Sequence, residues 1–465
     1  MARYQYPNPL DLLFFAGEHA TKRAGLPGVH VHLHLELRGH VDVEGLRRAL
    51  LALYHVYPAA GARRELDIRT GRPRWRLDGP PPDMRRVVRL HALTPPTDDQ
   101  LQHDVEALFA ASLDTVRLPP VQFHVFRGLP AGDVVVVRWP HALTDGRGAF
   151  LLLEELTRLY DETPDPATLT SADDERRDDF ARMLADYPLW RRVRMMLELH
   201  RPPQVYRGEV LHLTQAPTAT DPGPMHYLRR HLTPEQTAQV GENMRRIAGA
   251  SPSGDYLRAC GLHALHAVMP KPVPPHALYT AMSLLDNRRR QGPAVCWNLT
   301  SALPITVPAD AAGDAAELTR LIHRQMVAHV RARTGLRYYA AFSLLMHPPT
   351  AYVAAVLRAT MLAGRRQTSG LMLAGTPSLR LDFIGPFSRP LPRFCGAELH
   401  NYYGYSTLLP EPGFALHVNL THQRLNVSGV CFEARVPART LAALMDRFIA
   451  TLLDLGPTAS DATLG

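Results

Sequence analysis

The segment from Asp133 to Tyr160 constrains this chain more than any other. Val134–Val137 is apolar on both faces of an extended strand, which suits a central strand covered on two sides. Pro140 then interrupts the run, and from Gly146 onward Phe150, Leu153, Leu156 and Leu159 recur at helical spacing. A doubly covered strand feeding an amphipathic helix belongs to a layered α/β protein. Between the two lies His141-Ala142-Leu143-Thr144-Asp145-Gly146, at a strand-to-helix corner where side chains can meet a ligand.

The rest of the chain repeats this alternation. Val29 to Leu37 alternates strictly, with Val29, Val31, Leu33, Leu35 and Leu37 on one face and His30, His32, His34 and Glu36 on the other. That pattern predicts the first regular element, a strand with one polar face. Asp42 caps a helix reaching Tyr57, which Pro58 ends. A helix near Leu101–Ser112, a strand at Val121–Arg127, a turn at Gly128–Gly132 and a strand at Asp133–Trp139 follow. The charged stretch Asp161–Asp186 reads as helix or loop, and Gly208–Met225, rich in Pro and Thr, as a connection.

Beyond it the pattern gives a strand at His226–His231 and a helix capped by Thr233 with Pro234 at its first position. A helix at Asp255–Val268 and a strand at Tyr279–Leu285 come next. Further helices are expected at Asp314–Arg333, Thr350–Ala363 and Ala438–Leu455, with strands at Arg380–Ile384, Phe414–Leu420 and Arg424–Phe432. The expected organisation is an N-terminal lobe of residues 1–207 carrying the His-x-x-x-Asp-Gly corner, a linker of 208–225, and a C-terminal lobe of 226–465.

At 465 residues, 46% hydrophobic and 21% charged, the chain can bury a large core without disulfides. Disordered, collagen-like and disulfide-miniprotein classes are excluded. No apolar run approaches the roughly 18 residues of a membrane span. Pro7, Pro9 and Asp11 interrupt the N-terminus where an export signal needs an unbroken apolar stretch, so a cytoplasmic protein is expected. Cys260, Cys296, Cys395 and Cys431 lie far apart, as free thiols in a reducing compartment would. The net charge of +8 rests on scattered arginines, since Lys22 and Lys271 are the only lysines, and no polybasic block occurs. Nucleic acid is therefore not an expected partner, whereas a phosphate-bearing ligand such as coenzyme A or phosphopantetheine suits this balance.

His141 is the residue best placed for chemistry, because a neutral imidazole can take up a proton near pH 7. Structural roles fit the same residues: a satisfied loop histidine, Asp145 as the cap of the next helix, and Gly146 as a source of backbone freedom. His30, His32 and His34 share one strand face and could suggest zinc, but no further ligand is identifiable and a polar sheet face is the preferred reading. His263 and His266 read as core or surface histidines, so no metal is expected. No Walker, dinucleotide-binding or Gly-x-Ser-x-Gly pattern occurs.

With these residues in view, the chain resembles the coenzyme A-dependent acyltransferase superfamily. That group includes chloramphenicol acetyltransferase, the plant BAHD acyltransferases, polyketide-associated acyltransferases and the condensation domains of nonribosomal peptide synthetases. His141, Asp145 and Gly146 match its His-x-x-x-Asp-Gly motif, inside a segment, Leu113–Tyr160, that is similar throughout. The helix ending at Tyr57-Pro58 resembles an early element of the family. Ser283–Asn298, with Asp286, Arg288 and Arg290, is similar to the BAHD Asp-Gly-Arg-x-Arg pattern, and Gly413–Phe432 with the last helix resembles the closing elements. Two departures stand out. Pro140 replaces the first of the two histidines usual in condensation domains, and Asp382–Pro386 only loosely matches the BAHD Asp-Phe-Gly-Trp-Gly segment, so no catalytic role is carried to it.

The resemblance implies a mixed α/β, two-lobed chloramphenicol acetyltransferase-like fold with its active site in a tunnel between lobes. It implies that His141 is the general base, removing the proton of an acceptor hydroxyl or amine as it attacks a thioester carbonyl. It implies that Asp145 points away from the substrates and, with Gly146, supports the site through a bidentate salt bridge to Arg288, or failing that to Arg290. No cofactor is bound permanently; acyl-CoA or a phosphopantetheine-linked acyl group is the co-substrate. The expected partners are a small-molecule acceptor and coenzyme A or an acyl-carrier protein, and a monomer is expected. Two other readings stand beside this one: a free-standing condensation enzyme using carrier-bound substrates, and a non-catalytic protein that binds a carrier or lipid. The intact His141 and Asp145 speak against the last.

Overall fold

The computed structural model describes residues 3–23, 25–165, 168–171, 183–198, 208–213, 223–248, 253–288, 296–346, 348–355, 377–383, 385, 387, 391–406, 408, 412–421 and 423–454. The strands of the first half are β1 (Tyr4–Gln5), β2 (His30–Arg38), β3 (Arg63–Asp67), β4 (Arg72–Arg76), β5 (Val88–Ala92), β6 (Gln122–Arg127) and β7 (Val134–Pro140). Those of the second half are β8 (Met225–His231), β9 (Leu278–Asp286), β10 (Thr300–Pro308), β11 (Leu381–Phe383), β12 (Arg393–Phe394), β13 (Ala397–Ser406), β14 (Phe414–Thr421) and β15 (Arg424–Phe432). The longer helices are α1 (Pro9–Arg23), α2 (Val43–Val56), α3 (Asp98–Ala110), α4 (Gly146–Glu162), α5 (Leu189–Glu198), α6 (Pro234–Ala248), α7 (Ser253–Val268), α8 (Ala315–Arg331), α9 (Thr334–Leu345) and α10 (Ala438–Leu453). No helix among the described residues is long and apolar enough to cross a membrane.

Two larger sheets organise the molecule: a six-stranded sheet ordered β12-β13-β2-β7-β6-β5 and a four-stranded sheet ordered β11-β14-β15-β8. Two strands from the far end of the chain thus extend a sheet whose other strands all precede residue 141. The apolar face of the larger sheet (Leu33, Leu35, Val135, Val137) is buried against Leu46, Leu50 and Leu53 of α2 and Phe150, Leu153 and Leu156 of α4. The smaller sheet buries Leu416, Val418 and Val427 against Tyr256, Leu262, Met445 and Phe448 of α7 and α10. Between the sheets, Phe109, Phe126, Tyr227, Tyr403 and Phe432 form a further cluster.

Strand β7 is buried at all seven residues and runs between β2 and β6, as an apolar run on both faces requires. Pro140 does not end the strand early; it is the last strand residue, opposite His30, where a missing N–H costs little. The histidine face of β2 departs from expectation. His30, His32 and His34 are buried, not a polar face open to water. The cause is the second layer: Phe109 of α3 meets the His32 ring edge-on at 4.1 Å, and the Tyr227 hydroxyl of β8 lies 2.9 Å from His34 Nδ1. Arg229 donates to His34 Nε2 at 3.1 Å, so His34 carries its proton on Nδ1 and donates it to Tyr227.

Several elements carry no counterpart in the sequence pattern. Helix α1 precedes the strand expected to come first. Asn8 accepts from the Leu10 and Asp11 N–H groups at 2.8 and 2.9 Å while Asp11 accepts from Asn8 N–H at 2.9 Å, a reciprocal cap around Pro9. Strand β10 holds Pro304 and pairs with β9 alone, an edge on which proline is tolerated. Helix α9 and strand β13 were likewise not expected. The predicted cap at Thr233 forms, with Gln236 N–H donating to its hydroxyl at 3.2 Å and Thr233 N–H to the Gln236 amide at 2.9 Å. Of the expected helix Thr350–Ala363 only 350–355 lies within the described residues, and it is helical. Parts of 161–186, 208–225 and the ends at Ile384 and Leu455 lie outside them.

Burial holds His30, His32 and His34 well below the ordinary histidine range, with nearby arginine charge adding to it, and lowers His124 to about 2 and His417 to about 4. These rings are uncharged in the fold at pH values where the unfolded chain protonates them, so stability is lost as pH falls below about 6.5. Asp11, pushed up to about 7 by burial, works in the opposite sense, a single carboxyl against these histidines. Unfolding in urea at pH 5 should therefore show stability at least about 2 kcal/mol below that at pH 7. An equal or higher midpoint at pH 5 would contradict this account.

Candidate active site

The register of β2 against β7 decides where the chain goes after Pro140. The His141 N–H donates to the Val29 carbonyl at 3.0 Å, and Leu143 N–H closes a turn on the Pro140 carbonyl at 2.9 Å. Trp139 Nε1–H donates to the Thr144 carbonyl at 3.2 Å, and the Thr144 hydroxyl donates to the Cys296 carbonyl. Asp145 then caps α4, its Oδ1 accepting from Gly148 N–H at 2.8 Å. Gly146 is the first residue of α4. Close approach is demanded two residues on, where a Cβ on Gly148 would overlap the Cys296 carbonyl.

Asp145 is consumed by structure. Its Oδ1 also accepts from Arg288 Nη2 at 2.7 Å, while Oδ2 accepts from Leu299 N–H at 3.0 Å and from the Thr300 hydroxyl at 2.8 Å. Burial alone would raise this carboxyl, but the Arg288 charge and the N–H donors outweigh it and hold Asp145 below the usual carboxylate range. The pair is nearly dry, with side-chain exposures of 8% for Arg288 and 5% for Asp145. The contact is not bidentate as expected. One guanidinium nitrogen meets Asp145 and the Trp297 carbonyl, and Nη1 turns to Asp286 Oδ1 at 2.9 Å, so Arg288 bridges two carboxylates. Arg290 lies outside the described residues.

His141 sits half-buried between α1 and the segment before β10. The Phe14 ring stacks on it at 3.7 Å between centroids and 16° between planes. Asn298 Nδ2 donates to the His141 carbonyl at 2.8 Å and to Asp11 Oδ1 at 2.7 Å, linking α1 to the corner. Among the described residues no hydrogen-bond partner reaches His141 Nδ1. Burial lowers the proton affinity of the ring below that of an ordinary histidine, with its own carbonyl and the Asp145 charge opposing. Asp382 and Arg380, 3.3 Å apart, act on the ring in opposite senses, and His417 Nδ1 lies 3.5 Å from Asp382. The corner thus presents an uncharged, oriented imidazole able to accept one proton.

Phe14, Asp11 and Asn298 had no place in the site read from sequence. The Asn8-Pro9-x-Asp11 start of α1 was the available signal for two of them. The other histidines stand apart in role: His263 Nδ1 lies 3.0 Å from the Ala312 carbonyl and His266 Nδ1 3.1 Å from the Tyr279 hydroxyl. No group of three or more His, Cys, Asp or Glu placed to hold a metal occurs among the described residues, and the four cysteines are buried and free.

Removing one partner of a buried pair strands the other. Asp145→Ala should cost about 3–5 kcal/mol of stability and lower activity with it, checked by urea unfolding and turnover. An unchanged unfolding midpoint would argue against the pair as a structural tie. Asn298→Ala should release the His141 carbonyl and lower kcat by up to about 10²-fold, with substrate KM largely unaltered.

Residues 8–289 match the wax ester synthase/diacylglycerol acyltransferase catalytic domain family. No curated protein sequence matches the chain. Among solved structures, the first condensation domain of the calcium-dependent antibiotic synthetase is similar at a TM-score of 0.66 and 16% identity, over 99% of each chain. The trichothecene 15-O-acetyltransferase from Fusarium sporotrichioides is similar at 0.65 and 12% identity, over 97% of this chain and 94% of that one. Polyketide synthase associated protein 5 from Mycobacterium tuberculosis is similar at 0.58 and 16% identity, over 94% and 97%. These likenesses show the fold, the mixed α/β, two-lobed chloramphenicol acetyltransferase-like architecture expected from the sequence. The family match spans more than half of the chain and includes the His141–Gly146 corner. The chain belongs to the wax ester synthase/diacylglycerol acyltransferase catalytic domain family, and it is an acyltransferase.

Proposed function

We propose that this acyltransferase moves an acyl group from a thioester to the hydroxyl of a small-molecule acceptor, with His141 as general base. The observation that carries the reading is the uncharged His141 imidazole, clamped by Phe14 and by the Asn298 bond to its carbonyl at a strand-to-helix corner. The family supports a hydroxyl acceptor over an amine, because wax ester synthesis and diacylglycerol acylation both esterify a hydroxyl. The donor is acyl-CoA or an acyl-carrier protein, bound as substrate.

In the step, the acceptor O–H proton passes to the imidazole while its oxygen forms a bond to the thioester carbonyl carbon. The tetrahedral oxyanion collapses, the carbon–sulfur bond breaks, and the leaving thiolate takes the proton back from the imidazolium. The ester and the free thiol leave with the enzyme unchanged, so no serine or cysteine nucleophile is needed. Asp145 takes no proton in this scheme, since both its oxygens are bonded within the fold.

The base must be unprotonated to act. With its proton affinity lowered by burial, His141 should give a kcat/KM that rises with pH through an apparent pKa below 6.5 and is level at pH 7. A profile still rising above pH 7.5 would count against it. His141→Ala should cut turnover by about 10²–10⁴-fold with folding retained. Thiol release should be measured with acyl-CoA and with acyl-carrier protein, each against an alcohol, a diacylglycerol and an amine. Turnover confined to carrier-bound donors and amines would replace ester formation with condensation chemistry.

A further inference from the structure

We infer that α5 docks this protein onto an anionic lipid surface. At 100° per residue, Leu189, Val193, Leu197 and Trp190 fall within an arc of about 100° on one side of the helix. They are exposed at 67%, 37%, 59% and 67% respectively. Met195, nearly opposite on the wheel, is buried, and it belongs to the cluster of Leu184, Tyr338 and Phe342 that fastens α5 to α9. The helix is therefore held by one face and shows a second apolar face to solvent. Single exposed apolar side chains are ordinary on a protein surface; four on one helix arc, including a tryptophan, mark an interaction surface.

Charge selects the occupant. Helix α5 carries Arg191, Arg192 and Arg194 against the single acid Glu198. Arg192 is turned inward, donating to the Tyr187 and Leu184 carbonyls at 2.7 and 2.9 Å, which fixes the roll of the helix. Arg191 lies over the Tyr187 ring at 4.9 Å, and Arg194 is exposed on the Trp190 side of the arc, 2.9 Å from Glu198. Glu198 also meets Arg337 of α9 at 3.3 Å, and with exposed Asp186 just before the helix the two acids stand against Arg191, Arg192, Arg194 and Arg337, an excess of positive charge. An apolar arc with tryptophan and leucine, bordered on the Trp190 side by exposed Arg194 with Arg191 beyond it, matches the acyl boundary and phosphate layer of a bilayer with anionic lipid. This surface does not involve His141, so the docking and the acyl-transfer chemistry can each fail alone.

The full chain should be floated with vesicles of phosphatidylcholine alone and of phosphatidylcholine with phosphatidylglycerol. Binding is expected only to the anionic vesicles and should weaken as salt is raised. The double variant Trp190→Ser, Leu197→Ser should bind at least about tenfold less, while thiol release from a soluble short-chain thioester stays unchanged. A second measurement needs no variant. Of the chain's four tryptophans, Trp75, Trp139 and Trp297 are buried, so quenching of fluorescence by brominated lipid reports Trp190. Failure to bind, binding equal in the variant, or no quenching by brominated lipid would overturn the proposal. So would light scattering that shows a dimer which the double variant converts to a monomer, since the arc would then belong to a second copy.

Discussion

The buried carboxylate of Asp145 holds the corner together. It starts a helix, receives a guanidinium from the end of β9, and pins the start of β10 through a backbone N–H and a hydroxyl. A charge taken this far out of water is costly, and only a full set of donors offsets the desolvation. Here both oxygens are satisfied, by Gly148, Arg288, Leu299 and Thr300 from three stretches of the chain. Strands β9 and β10 already pair with each other, and Asp145, alongside the Thr144 and Asn298 bonds, ties the corner after β7 to that pair.

His141 depends on that framework without being bonded to it. Its orientation comes from the other side, from a ring on α1 and a carboxamide before β10 that also grips Asp11. Two layers of support meet at the imidazole: a charged one beneath the helix start and a largely neutral one across the ring. The neutral layer suits a base, because a strongly bonded carboxylate on Nδ1 would raise its proton affinity. Arg380 and Asp382, acting in opposite senses, leave burial as the larger influence.

Local pattern made much of this legible. The apolar run of β7, the helical spacing of α4 and the cap residues Asp42 and Thr233 are local, and local signals survive in a single sequence. The corner was legible from the strand, proline and helix around it, whereas the roles of His141 and Asp145 and the choice of Arg288 came through resemblance to a family. The histidine face of β2 was misjudged because its cover, Phe109 of α3 and Tyr227 of β8, lies far along the chain, and alternation cannot tell a wet face from one sealed by a second layer. Helix α1 was hidden by prolines that, at a helix start, favour the helix instead of breaking it. Phe14 and Asn298 could not be assigned to the site because nothing local connects them to His141.

The strand order carries a consequence for biosynthesis. One long edge of β2 is closed only by β13, whose residues leave the ribosome after more than 390 others. Until then the nascent sheet presents an open row of backbone donors and acceptors flanked by leucine and histidine, the kind of edge that invites pairing with the wrong chain. The two halves cannot be cut apart and remain whole, since the first borrows its last strands from the second. Completion of the His141 corner is thereby tied to synthesis of nearly the entire polypeptide, and the unfinished edge is exposed to mispairing for as long as that takes.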